Sequence, residues 1–152
     1  ALAVAAANIV GSIVRTRFSS PELTELRAGF LKLRQSGALF EKPAAAIFPG
    51  LLVAACYSTG KTEFTGVPVQ PVLERALARM GARLTREGDG LTVAGTGSLR
   101  GAAVDAAGDS AVTAYLIAAA TAADGVTEIQ NAAGGFIDYF FAAGGKGVVY
   151  DD

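Results

Sequence analysis

Six polar positions in this sequence have the types and spacing to hold an anion or move a proton. Asp109, Ser110 and Thr113 lie in AAGDSAVTAY, at the start of an apolar run that reads as a buried helix. A helix N-terminus presents free N–H groups and the positive end of a dipole, so it attracts anions. Ser110 and Thr113 would add hydroxyl donors to a phosphate, and Asp109 is the candidate acid–base group. Asp109 or Ser110 also reads simply as an N-cap. Arg100 is the one charge in GTGSLRG, a Gly-rich segment that either places Arg100 over an anion or is a plain connection with turn glycines. Asp105 lies just beyond, as a catalytic acid or as an ion-pair partner of Arg100. Lys61 belongs to Ser58-Thr59-Gly60-Lys61-Thr62, part of the signature of phosphate-binding loops. The full signature needs a Gly five residues before Gly60, where this chain has Ala55, and it runs strand to helix where this segment runs helix to strand. Lys61 therefore reads as a turn residue, near a ligand or merely solvated.

Other chemistries are excluded by what the chain lacks. It has no His and one Cys, Cys56, which removes the usual zinc sites, an internal disulfide and any Ser–His or Cys–His dyad. Acid–base work falls to Asp, Glu, Lys or Tyr. No metal and no cofactor is implied. With 13 Lys+Arg against 14 Asp+Glu, the formal net charge of −1 argues against a nucleic-acid partner. Hydrophobic residues make up 51% of the 152, which excludes intrinsic disorder and suits one domain. The longest apolar runs, Ala1 to Val10 and Ala111 to Ala123, fall short of the roughly 20 residues of a membrane span. The first has no basic segment before it, so no signal peptide is expected, and the cytoplasm is the expected compartment.

The elements that must position these residues form a repeat. Three segments share one grammar of Ala-rich apolar run, Gly turn and short β-like alternation: Ala1 to Phe18, Leu51 to Val67 and Ala114 to Ala132. Each reads as a buried helix, a Gly C-cap and a strand. A second helix follows each one. The first starts at Ser20-Pro21-Glu22 and carries Leu23, Leu26, Phe30, Leu31 and Leu33. The second carries Val72, Leu73, Leu77 and Met80 up to Gly81, with Glu74, Arg75 and Arg79 on a solvated face. The third carries Phe136, Ile137, Phe140 and Phe141. Strands are expected at Ala38 to Glu41, Ala82 to Arg86 and Val148 to Tyr150, with a hairpin at Gly88-Asp89-Gly90. The fold class is α/β, layered, with three helix–strand–helix–strand units whose buried Ala-rich helices are covered by outer sheets. The expected limits are a single domain, 1–152, of units 1–48, 49–108 and 109–152.

A threefold repeat of this kind resembles the enolpyruvyl transferase family. The stretch that carries the resemblance runs from Val72 to Ala132: a helix, Met80-Gly81-Ala82, a strand and hairpin, Leu99-Arg100-Gly101, Val104-Asp105, an Ala-rich helix, Ala123-Asp124-Gly125 and a strand. The resemblance implies one domain of a two-domain protein, with a second homologous domain outside this chain. It implies small anionic substrates, phosphoenolpyruvate and a phosphorylated or nucleotide-bearing alcohol, with the enolpyruvyl group passing to a hydroxyl. Asp109 would then be the acid–base residue, with Ser110, Thr113, Arg100 and Lys61 at the substrate. Within the family the resemblance points first to the member acting on 3-phosphoshikimate, with the member acting on UDP-N-acetylglucosamine as the alternative. The family's Asp-His-Arg type motif has no counterpart in a chain without His. Two other readings share the fold: a non-catalytic or engineered repeat scaffold, and an RNA 3′-terminal phosphate cyclase, whose nucleophilic His is missing here.

Overall fold

Two helices that are apolar on every side decide the architecture, because a helix with no polar face must be covered all round. The computed structural model describes residues 20–33 and 38–135. In chain order the elements are α1 (Ser20–Leu33), β1 (Ala38–Glu41), α2 (Phe48–Cys56), β2 (Lys61–Thr65), α3 (Pro71–Arg79), β3 (Arg83–Glu87), β4 (Gly90–Ala94), β5 (Ala103–Asp105), α4 (Ser110–Ala122) and β6 (Glu128–Gln130). The fully apolar helices are α2 and α4. All of α2 except Pro49 is buried, and Val112 to Ala119 of α4 are buried without a break. Alanine makes this close approach possible: Ala55, Ala118 and Ala119 are inaccessible to solvent, and the Tyr57 hydroxyl donates to the Ala119 carbonyl at 2.5 Å, tying the end of α2 to α4.

The sheets lie outside these helices. A four-stranded sheet runs in the order β1-β2-β4-β3, with β1 and β2 parallel and the other neighbours antiparallel. Alternation along β2 turns Thr62 and Phe64 inward and Lys61, Glu63 and Thr65 outward. Phe40 of β1 stacks on Phe64 at 5.3 Å between ring centroids, and Phe48 of α2 meets Phe64 edge-on at 5.1 Å. This trio seals the sheet to α2, and each ring contributes roughly 1.5–3 kcal/mol by burial. The second sheet is the parallel pair β5–β6, with Val104 opposite Ile129.

Each parallel pair closes over one buried helix, β1–α2–β2 and β5–α4–β6, and the two units match in detail. The residue after the first strand donates to the last strand residue in both: Lys42 N–H to Thr65 at 2.8 Å, Ala106 N–H to Gln130 at 2.9 Å. The residue after the second strand is left-handed in both, Gly66 at φ 65° and Asn131 at φ 52°. The paired unit seen twice is therefore strand–helix–strand. The first segment of the expected repeat, Ala1 to Phe18, the helix at Phe136 to Phe141 and the strand at Val148 to Tyr150 lie outside the described residues.

Several local expectations need correction. Gly60 and Gly125 are not the caps of their helices: α2 ends on Tyr57 in right-handed backbone and α4 on Ala123 in extended backbone, so the chain is extended before Gly125 turns it at φ 88°. Gly81 at φ 99° does follow the end of α3, as a C-cap glycine should. Leu31 is 61% exposed, because it lies off the stripe of Leu26, Gly29 and Leu33 that is buried among the described side chains of α1. Glu74 does not stand on a solvated face. Its carboxylate meets the Arg86 guanidinium at 3.2 Å, and Arg86 also donates to the carbonyls of Val67 and Pro68, pinning the loop after β2 to β3. No helix among the described residues is long and apolar enough to cross a membrane.

Candidate functional site

The loops at the C-terminal ends of β5 and β6 converge on the first turn of α4, and local hydrogen bonds fix them there. Asp105 accepts from the Ala107 N–H at 2.8 Å and from the Asn131 side-chain amide at 3.0 Å. Ala107 (φ 52°) and Gly108 (φ 73°) turn the chain left-handed, and the Gly108 N–H reaches the Asn131 carbonyl at 2.8 Å. The Asn131 amide, and after it the Ala107 N–H, hold the Asp105 carboxyl below its usual value, against a small opposing effect of burial, and Arg75 adds to the lowering. Asp105 is therefore a charged and fixed group at neutral pH.

Asp109 is the N-cap of α4. One carboxylate oxygen, Oδ1, accepts from the Ala111 N–H at 2.8 Å and the Val112 N–H at 3.0 Å, while its backbone carbonyl accepts from the Thr113 amide at 3.0 Å and hydroxyl at 2.8 Å. The chain's own carboxylate thus occupies the place an external anion would take. Oδ2 makes no hydrogen bond among the described residues. Thr113 is completely buried, and its hydroxyl is used twice, as donor to Asp109 and as acceptor from the Ala133 N–H at 3.0 Å. It ties the segment after β6 to α4. Ser110 stays partly accessible at the mouth, where Gly134 packs on it. A Cβ on Gly134 would fall 2.6 Å from the Ser110 Cβ, and its φ of 97° excludes most side chains anyway.

The other two predicted site residues lie elsewhere. The backbone of Arg100 forms an isolated parallel β-bridge with that of Asp124, beyond the far end of α4, so the length of that helix, about 20 Å for 13 residues, separates it from Asp109. Its backbone N–H donates to the Met80 carbonyl at 2.8 Å, and its side chain runs past Gly81. The expected Arg100–Asp105 pair does not form, since the two residues stand at opposite ends of the β5 segment and Asp105 is held by Asn131 and Ala107. Lys61 opens β2 on the outward face of the other sheet, paired with Glu63 at 3.3 Å and well exposed. The structure therefore brings together Asp109, Ser110 and Thr113, and joins neither Arg100 nor Lys61 to them.

Sequence reasoning passed over a cleft of about 290 Å³ between α3 and the β5–β6 pair. Arg75 and Arg79 line one wall, with Asp105, Ala107 and Gln130 on the other. The Arg79 Nε–H donates to the Ala103 carbonyl at 2.8 Å. The available signal was the spacing of the two arginines, four apart on α3 and so on one face. Among the described residues no cluster of three His, Cys, Asp or Glu can hold a metal ion.

With this geometry in place, known proteins give a consistent match. The profile of the family EPSP synthase (3-phosphoshikimate 1-carboxyvinyltransferase) covers residues 21–138. A 3-phosphoshikimate 1-carboxyvinyltransferase of Thermosynechococcus vestitus is 34% identical over 99 residues, 60% of this chain and 22% of that protein. Proteins of the same name from Acaryochloris marina and from Synechococcus sp. strain CC9605 are 37% and 33% identical, each over 60% of this chain and 22% of its own length. The chain thus spans about a fifth of the length of these relatives.

Proposed function

Because the chain belongs to the EPSP synthase family, we propose that it forms one domain of a 3-phosphoshikimate 1-carboxyvinyltransferase, which transfers the enolpyruvyl group of phosphoenolpyruvate to a hydroxyl of a phosphorylated substrate. The observation that carries this reading is the β5–α4–β6 unit. Its strand ends and helix N-terminus converge on one loop cluster, the place where parallel α/β units bind ligands. In this reading residues 1–48, 49–108 and 109–152 derive from three repeats of one unit, and a second homologous domain supplies the facing wall. The phosphorylated substrate sits at the mouth of α4 against Ser110, with Oδ2 of Asp109 beside it as the acid–base group. Thr113 acts from beneath, by holding Asp109 and Ala133 in place. Arg100 and Lys61 reach substrate only through the second domain's closure. One domain holds half of the cleft, so turnover requires both.

A second reading has its own support. The first turn of α4 is already capped by Asp109, and Thr113 has both hydrogen bonds inside the protein, which suits a scaffold that keeps the fold and has given up the chemistry. Thermal unfolding of the chain with shikimate 3-phosphate, phosphoenolpyruvate and inorganic phosphate separates the two. A ligand at about 100 times its dissociation constant stabilises the fold by roughly 2.7 kcal/mol. The substrate reading expects that shift with shikimate 3-phosphate and its loss in Ser110→Val. No shift with any of the three supports the scaffold.

A further inference from the structure

The cleft beside α3 carries a set of charges that enolpyruvyl transfer, as proposed above, leaves unused. Arg75 and Arg79 stand one helical turn apart on one wall, and Asp105 stands on the other, over an aliphatic floor of Val72, Ala76 and Val104. Two of these charges are fixed in place. The Nε–H of Arg79 is committed to the Ala103 carbonyl, which leaves the terminal N–H groups of the guanidinium for a ligand. Oδ1 of Asp105 is committed to Asn131 and Ala107, and Oδ2 makes no hydrogen bond among the described residues. Gln130 completes the rim with an amide.

A ligand that satisfies this rim must carry both signs. A simple anion would gain the two guanidinium groups and meet repulsion from Asp105. A simple amine would gain Asp105 and meet repulsion from the arginines. A guanidinium fork matches a carboxylate bidentately, and a carboxylate oxygen matches an ammonium group. The volume, at the small end for ligand sites, suits one small molecule with a short apolar tail. We infer that this cleft binds an α-amino acid with an apolar side chain: the carboxylate on Arg75 and Arg79, the ammonium group on Oδ2 of Asp105, and the side chain on Val72, Ala76 and Val104. The cleft opens on the α3 side of the loop after β5, sharing Asp105 and Ala107 with the loop cluster at the α4 mouth, and its ligand does not depend on enolpyruvyl transfer by the chain.

The test is a titration of the nitrogen-15-labelled chain, followed by amide and arginine Nε–H resonances, with four probes: L-phenylalanine, 3-phenylpropanoate, phenethylamine and inorganic phosphate. L-Phenylalanine at millimolar concentration is expected to move the resonances of Ala103 to Ala107 and the Nε–H of Arg79. The two one-pole analogues are expected to bind at least about tenfold more weakly, the loss of one charge-assisted contact. Arg75→Gln and Asp105→Asn each weaken phenylalanine binding, with the remaining spectrum unchanged as the sign of an intact fold. Phosphate or 3-phenylpropanoate binding as tightly as phenylalanine would reduce the cleft to an anion site and overturn the inference. Phenethylamine binding equally well, or no response of wild-type chain to phenylalanine, would overturn it too.

Discussion

Asp109 shows how one side chain can serve a fold and a site at once. Its Oδ1 satisfies two orphan amides of α4, so Asp109→Ala should cost about 1 kcal/mol of stability, and Asp109→Asn much less because an amide oxygen also caps. Chemical denaturation of the two variants checks this; equal losses would mean that charge, not capping, is the contribution. Asp105 makes a prediction in pH. Its folded pKa lies below the usual 3.8, so its contribution is present in full above that value and is lost as the pH falls below it toward the folded value. In Asn131→Ala, which removes the largest cause, the carboxyl should titrate nearer 3.8 by NMR. An unchanged titration would assign the lowering to Ala107 and Arg75 instead. At this scale the sequence was readable for Asp109, Ser110 and Thr113, whose neighbourhood is set by one helix turn. It was not readable for Arg100, because which end of α4 the segment leading into β5 meets depends on backbone pairing across more than twenty residues. Arg75 and Arg79 were visible as a pair, but only the packing of α3 against β5 turns a solvated stripe into the wall of a cleft.

At the scale of elements, α2 and β2 carry the clearest consequences. Cys56 is buried at the end of α2, and burial pushes its thiol up to about 12, so alkylation at pH 8 should be negligible in the native chain and complete in denaturant. Reaction of native protein would contradict the placement of α2 in the core. Thr62 faces the same core from β2, fully buried, with a hydroxyl that has no partner among the described residues. Thr62→Val keeps the shape and removes the unpaired group, so it should stabilise the fold by about 1 kcal/mol. A loss of that size would mean the hydroxyl is satisfied. Existence and type of the helices and strands between Ser20 and Gln130, apart from the short strand β5, followed from apolar periodicity and from Gly and Pro punctuation. The helix ends did not, because α2 and α4 finish on ordinary residues and leave the glycines to turn the following chain. Leu31 misled for a related reason: an apolar residue one position off the buried stripe looks the same in sequence.

At the scale of the molecule, two strand–helix–strand units wrap their buried helices in the same way, down to the hydrogen bond after the first strand and the left-handed residue after the second. That repetition was legible as an Ala-rich run followed by a Gly turn, while the pairing of each helix with the strand before it came only from the parallel registers. In the proposed function the functional end of the second unit is the mouth of α4, with catalysis shared with a second domain. The measurement that tests this most directly is the footprint of shikimate 3-phosphate on the labelled chain. Shifts confined to Asp109 to Ala111 and the segment Asn131 to Gly134 are the predicted result. Shifts centred on Lys61 or Arg100, or none at saturating ligand, would contradict it.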